Sequence, residues 1–410
     1  GTPNPFEADI SKARVGIEGR SPVGIKMDLF YEMDRTRNSL QVPAARPSPE
    51  YSAAVGMAVI IPLLRNSGSD FNKAPIEIAR IEQEIAEETS RLVKSQRAFD
   101  AIKTYLLVQR AQSRVHWRQK ALDTAKALEA EMSAQVTAGL RSSSELTEAA
   151  ARVAEQQGLL TEARQGLNEQ IGAFQIFFLA IEQDMQPNRW MPSDPLQAPV
   201  AQFVSPSRLI SPDEAVQKRS ETRINALRIE REEMNVLMAE NQAKPELNVK
   251  FDAKQSFLAD EYVPFRDLYG QNNPYHSWRA GFEFRRGLQG DITKQKQLEA
   301  AKLRETQAEL TMNAFRQRIA SEMNGSKGIL ERANDQVRQQ SEMVDAYWDL
   351  FKAEEQRAQL GQSSRVEVLN RELAYFIAKE GQRDAIAQQN LSSYLASQIS
   401  GTLLTRMGIE

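Results

Sequence analysis

Apolar and polar positions alternate with period two in four stretches of the chain. Ile25, Met27, Leu29, Tyr31 and Met33 interleave with Lys26, Asp28, Phe30, Glu32 and Asp34. Leu247, Val249, Phe251 and Ala253 interleave with Asn248, Lys250, Asp252 and Lys254. Tyr51 to Ile61 and Trp278 to Phe284 supply a partner for each, the latter alternating against Arg279, Gly281, Glu283 and Arg285. Strands with one apolar and one charged face fit a barrel with lipid outside and water inside. A sheet packed on a soluble core fits the same alternation. On the barrel reading, Leu29, Tyr31, Val249 and Phe251 face lipid, while Lys26, Asp28, Lys250 and Asp252 face the lumen.

The remainder has heptad spacing. Ile78, Ile81, Ile85, Leu92, Phe99, Ile102 and Leu106 step by three, four and seven residues, as do Leu146, Val153, Leu160, Leu167, Ile171, Phe174 and Phe178. Leu303 and Leu310, then Val337, Val344, Tyr347 and Phe351, continue the pattern. So narrow an apolar seam predicts coiled-coil packing rather than a broad globular core. Asn72 to Ala138 is long enough for a helix of about 100 Å.

These elements occur twice. The strand openings at Pro22 and Pro245, the closing strands at Gly56 and Gly281, and the glycines Gly139 and Gly361 pair at offsets of 222 to 225 residues. A register held over such a length means one unit used twice. The first repeat spans 1–185, with a β-hairpin at 22–63 and a helical hairpin at 70–182. Residues 186–212, rich in proline, form a linker. The second repeat spans 213–410, with a helix at 213–244, a β-hairpin at 246–287 and a helical hairpin at 290–405. The first repeat has only residues 1–21 where the second has its leading helix, so this stretch is expected to be the remnant of a helix. Each helical hairpin turns within a few residues. Gly139 and Gly361 suit the left-handed position that ends a helix. Ser142 with Glu145, and Ser364 with Glu367, form the S-x-x-E signature of a capping box that opens the next one.

Composition narrows the possibilities. With 52 basic and 55 acidic residues the net charge is −3, and no basic patch interleaved with aromatics appears, so no nucleic-acid partner is expected. The absence of cysteine removes disulfides, thiolate metal sites and cysteine nucleophiles. The longest apolar run, Ala53 to Leu64, falls short of the roughly 20 residues of a spanning helix. Any passage through a membrane therefore has to use strands. His116 and His276 lack metal-ligand spacing, and no phosphate-binding loop is present. No catalytic set, metal or other cofactor is expected.

In this frame the chain resembles the TolC-type outer-membrane efflux proteins. The resemblance rests on Gly56-Met57-Ala58-Val59-Ile60-Ile61-Pro62-Leu63-Leu64-Arg65 before the first long helix and on Arg219-Ser220-Glu221-Thr222 after the linker. It also rests on Gly361-Gln362-Ser363-Ser364-Arg365-Val366-Glu367-Val368-Leu369-Asn370 at the second hairpin end. It implies a mainly α protein with membrane β: a homotrimer giving four strands per chain to a 12-stranded outer-membrane β-barrel, continued by a periplasmic α-helical barrel. It further implies a passive export channel that docks a periplasmic adaptor and an inner-membrane pump. The hairpin tips Gly139, Leu140, Arg141 and Ser142, with Gly361, Gln362, Ser363 and Ser364, are the expected adaptor contacts. Glu367 and Asn370, with Glu145 and Glu148 in the related places of the first repeat, are the expected gate at the tunnel end. Asn370 departs from the acid common there in relatives. Gly287 stands where the first repeat has Pro62, and the aromatic-rich segment Phe257 to Ser277 is long enough for a loop over the barrel mouth. From the residues alone, a soluble periplasmic coiled-coil scaffold remains the competing reading, and an apolar outward face shared by all the strands distinguishes the two.

Overall fold

Val15 and Ile17 are β-branched and alternate with Arg14, Gly16 and Glu18, and two glycines in four positions weaken any helix there. In the computed structural model, which describes residues 8–38, 49–178, 191–259, 261–265, 275–287 and 291–409, this segment is strand β1 (Ala8–Arg20). It corrects the expectation of a helix remnant at 1–21. The turn after it is tight, with Gly24 at φ 99° and its N–H donating to the Ser21 carbonyl at 2.9 Å. β2 (Lys26–Asn38), β3 (Glu50–Pro62), β4 (Glu246–Ala259) and β5 (Tyr275–Arg285) complete one antiparallel sheet in the order β1-β2-β3-β4-β5. The described residues therefore hold five strands, where the resemblance implies four.

The described residues form two compact units, and each draws on both repeats. One comprises Gly1–Ala86 with Asn225–Thr311, the other Glu87–Ile224 with Met312–Glu410.

The first unit is built on the sheet. Its register places Ile17, Leu29, Met57, Ala253 and Trp278 in one row across all five strands. Adjoining rows hold Met27, Val59 and Phe251, then Ile61, Val249 and Phe282, and on the other side Val15, Tyr31 and Val55. Gln255 and His276 are the polar exceptions on this face between Leu247 and Phe257. The opposite face is mostly charged and internally paired: Arg14 to Asp28 at 2.5 Å, Lys250 to Glu283 at 2.9 Å, and Lys254 to Glu32. Leu29, Tyr31, Val249 and Phe251 thus share one face, and Lys26, Asp28, Lys250 and Asp252 the other. Phe30 is an aromatic on the charged face because its ring lies over Gly56, where an added Cβ would meet Phe30 Cζ at 2.5 Å. Arg14 stacks on the same ring at 3.9 Å.

The loop after β4 is shorter than the expected Phe257 to Ser277, since both ends belong to strands. Its described part, 261–265, folds onto the apolar face rather than over the charged one. Val263 is buried beside Ala53 and Phe257, the Tyr31 hydroxyl donates to the Val263 carbonyl, and Phe265 meets the Tyr31 ring edge-on. The stretch 266–274, with Tyr269, lies outside the described residues, as do 186–190 of the linker and 288–290 after Gly287.

The second unit is helical. α1 (Ser69–Thr137) and α2 (Ser143–Gln175) make one hairpin, and α6 (Ile292–Gln359) and α7 (Arg365–Ile399) the other. α1 and α6 have their first parts in the sheet-bearing unit. Between the repeats come α3 (Ala201–Val204), α4 (Pro212–Lys218) and α5 (Ser220–Ala243), the last belonging to the sheet-bearing unit from Asn225 onward. The single helix expected at 213–244 is broken at Arg219, whose backbone is extended (φ −79°, ψ 130°). Its guanidinium, 14% exposed, is held by Glu221 at 2.6 Å and Glu322 at 2.8 Å. A continuous helix would not carry this side chain into the same two carboxylates. The linker packs against the helices through its backbone: Gln109 donates to the Asp194 carbonyl at 3.1 Å and Asn390 to the Gln197 carbonyl at 2.8 Å. α7 ends at Ile399, capped by Ser400, and α8 (Leu403–Met407) follows Gly401, which takes φ 72°.

Candidate functional site

Both hairpins turn by the same device. Gly139 and Gly361 adopt φ 74° and 73°. The N–H of Gly139 donates to the Val136 carbonyl and that of Leu140 to the Gln135 carbonyl, both at 2.9 Å. Gly361 to Ala358 at 3.0 Å and Gln362 to Arg357 at 2.8 Å repeat the pattern. These paired bonds are Schellman motifs, which satisfy carbonyls left over at a helix end. Each motif pushes a leucine into solvent: Leu140 is 75% exposed and Leu360 72%. Leu360 is a tip residue that the glycine-centred sequence reading did not pick out.

The next helices open differently. At the first turn the Glu145 carboxylate accepts from the Ser142 N–H at 2.9 Å and from Arg141 at 2.7 Å. The Ser142 amide and then Arg141 hold this carboxyl below the usual carboxylate range. Their stabilisation is present above the ordinary carboxylate pKa and is lost as pH falls through the lowered one. At the second turn only the forward half of the box forms among the described residues, the Glu367 N–H donating to Ser364 Oγ at 3.3 Å. The exposed Glu367 side chain is not committed to the cap, which departs from the expected reciprocal box.

Behind the tips the two hairpins share an apolar core of Leu128, Met132, Ala149, Val366 and Leu369, with Leu146 against it. On the polar side of that core Arg152 forms a clasp. Its guanidinium donates to Glu148 Oε1 at 2.7 Å and to Asn370 Oδ1 at 3.1 Å, tying α2 to α7. The structure therefore joins Glu148 and Asn370 through an arginine that the sequence reading missed. The available signal was its place four residues after Glu148, one helical turn along the same face. Glu367 and Glu145 belong to neither bond.

Further along, a ladder of ion pairs joins α1 to α7. Arg110 makes a two-bond contact with Asp384 at 2.9 and 3.0 Å. Arg114 reaches Glu380 at 3.1 Å and Asp384 at 3.4 Å, and Arg118 reaches Glu380 at 2.7 Å. The Glu380 side chain is only 7% exposed, so removing it takes from Arg118, itself 18% exposed, its carboxylate and leaves Arg114 with Asp384 alone. Glu380→Ala is expected to destabilise the helical unit by about 3 kcal/mol, near the low end for breaking a buried pair because Arg114 is half exposed. A fall in the thermal midpoint of the far-ultraviolet circular dichroism signal, with Glu380→Gln losing less, is the check.

An antiparallel sheet with one apolar and one mostly charged face in one unit, and paired long helical hairpins in the other, define the class of fold. No protein-family profile matches the chain, and no curated protein does. Solved structures do. The chain is similar to a membrane protein from Pseudomonas aeruginosa (TM-score 0.68, 15% identity, 96% of this chain and 82% of that one). It is similar to the outer-membrane protein VceC of Vibrio cholerae (TM-score 0.64, 15% identity, 96% and 87%). It is also similar to the outer-membrane channel CmeC of Campylobacter jejuni (TM-score 0.62, 11% identity, 97% and 78%). The fold is that of the TolC-type outer-membrane channels.

Proposed function

We propose that the chain is the subunit of a passive export channel of the bacterial outer membrane, a homotrimer reaching into the periplasm. One observation carries this reading: a single apolar face runs across every strand of the sheet, with Val15, Ile17, Trp278 and Phe282 each more than 70% exposed. A soluble sheet would bury such a face. From Leu247 to Phe257 the apolar part of β4 covers ten residue steps, about 34 Å, or about 26 Å at a tilt near 40°, the height of an outer-membrane apolar band. The charged, internally paired face then lines water. One sheet of this size does not close, so several copies are needed, and three supply a barrel in the observed range.

Among the described residues no helix is long and apolar enough to cross a membrane, which leaves the strands as the membrane part. No catalytic role is assigned. The energy for transport comes from an inner-membrane pump, and a periplasmic adaptor joins the two at the hairpin tips. Glu148, Arg152 and Asn370 hold the tunnel end shut, and Glu367, exposed beside them, sets the charge at its axis. A detergent-extracted, heat-sensitive trimer that conducts in planar bilayers is the expected behaviour. A protein soluble without detergent and silent in bilayers would instead be the coiled-coil scaffold.

Tip docking has its own test. Nothing lies within 4 Å of a Cβ placed on Gly361, so Gly361→Val acts through the left-handed backbone alone, at about 1–2 kcal/mol. It is expected to block adaptor crosslinking while leaving trimer assembly intact. Undiminished crosslinking would remove the tip from the interface.

A further inference from the structure

β1 and β5 are the two edges of the described sheet, and their polar faces carry the same sequence. Arg14, Gly16, Glu18 and Arg20 on β1 recur as Arg279, Gly281, Glu283 and Arg285 on β5, in the same spacing. An antiparallel sheet of five strands sends its first and last strands in the same direction. Joining β5 of one copy to β1 of the next would thus make a parallel seam. Joining it to β2 of the next keeps the barrel antiparallel throughout, as bacterial barrels are.

The apolar faces of the strands, together with the helix starts, set the register of that second junction. Matching apolar faces map β2 onto β4 with Met27 at Val249 and Leu29 at Phe251. They map β3 onto β5 with Val59 at Phe282 and Ile61 at Phe284, the 223-residue offset that carries the start of α1, Ser69, to the start of α6, Ile292, two residues short of the offset that pairs Gly56 with Gly281 in the sequence. The β3–β4 junction, which pairs Val59 with Phe251 and Ile61 with Val249, is therefore the template for β5 meeting β2 of a neighbouring copy. Carried over, it sets Arg279 opposite Glu32, Glu283 opposite Asp28 and Phe282 opposite Leu29. Those are the places now held by Arg14, Glu18 and Ile17. β1 has no strand counterpart in the second repeat, where the matching residues lie in α5.

We propose that β1 is a built-in stand-in for the neighbouring copy's β5: it caps the edge of β2 in the unassembled chain and is displaced when the barrel closes. The proposal rests on the trimeric-channel reading. Before assembly the β2 edge would otherwise offer unpaired backbone groups to any passing strand, and a covering strand of matched charge prevents that. On closure Arg279 takes over the carboxylates that Arg14 holds.

Disulfide trapping tests this in a chain that has no cysteine of its own. Ile17→Cys with Leu29→Cys should crosslink within unassembled chains and not in trimers extracted from membranes. Phe282→Cys with Leu29→Cys should link neighbouring copies in those trimers. Oxidising the first pair before assembly should abolish trimer, and a reductant should restore it from the same sample. Arg14→Glu should raise trimer yield, whereas Arg279→Glu should lower it. An Ile17–Leu29 crosslink in assembled trimers, with none between Phe282 and Leu29, would make β1 a permanent fifth strand and overturn the exchange. Protein that needs no detergent and gives no link between copies would overturn the channel reading itself.

Discussion

Met57→Arg is expected to stop the protein from accumulating in the outer membrane, while Ala58→Arg, one residue along the same strand, is expected to leave it folded. Met57 sits in the central apolar row, between Leu29 and Ala253. A guanidinium near the midplane of the lipid face costs about 2–4 kcal/mol per copy. Ala58 lies on the other face, between Asp28 and Asp252, where a cation gains two carboxylates. Heat-modifiable trimer on gels of purified outer membranes is the measurement. Equal loss, or equal tolerance, at the two positions would sink the assignment of faces and with it the barrel.

Arg152→Ala is expected to leave a trimer that leaks. The residue is 42% exposed and its partner Glu148 64%, so the clasp is worth about 0.5–1 kcal/mol in each copy. Three identical clasps acting together give about 1.5–3 kcal/mol, or at least about tenfold in the ratio of open to closed channel. Single-channel recordings should show a higher open probability, and trimer stability should be unchanged. Glu367→Gln separates the neighbouring role. It removes a charge that takes no part in the clasp, so it should lower cation preference and leave the open probability as it was. Unaltered gating in Arg152→Ala would leave the clasp a structural contact only.

The alternation of Leu29, Val249 and Phe251 with Asp28, Lys250 and Asp252 made the strands and their two faces legible, because period two maps directly onto sides of a sheet. The hairpin turns were legible for a similar reason, since Gly139 and Gly361 each answer one local backbone need. β1 was not, because the repeat pointed to a helix in its place. The break at Arg219 depends on Glu322, more than a hundred residues away, and no local pattern announces it. The clasp escaped notice for a related reason. Capping logic singled out Glu367 and Glu145 as positions on a helix, whereas Arg152 matters through what it touches on another one. In the charge ladder, the four-residue spacing of Arg110, Arg114 and Arg118 mirrors that of Glu380 and Asp384, which only their juxtaposition reveals.

On the proposed channel reading, that ladder also limits how far an opening motion could extend. Arg114 engages both acids at once, so α1 and α7 cannot slide past each other there without breaking several bonds together. Below Glu380 the polar cross-links are sparser, chiefly Thr124 to Glu372 at 3.3 Å and the clasp itself, and the rest of the contact is the apolar core at Val366 and Leu369. α7 from Arg365 to Glu380 is then a lever of about 22 Å turning on a fixed pivot. A tilt of about 10° carries its end about 4 Å, and in the proposed trimer three such levers moving together would widen the aperture by about 8 Å. On the proposed channel reading, a docked partner would have to supply only a small rotation at the tips, not an unwinding of the helices, to turn a closed end into a pore.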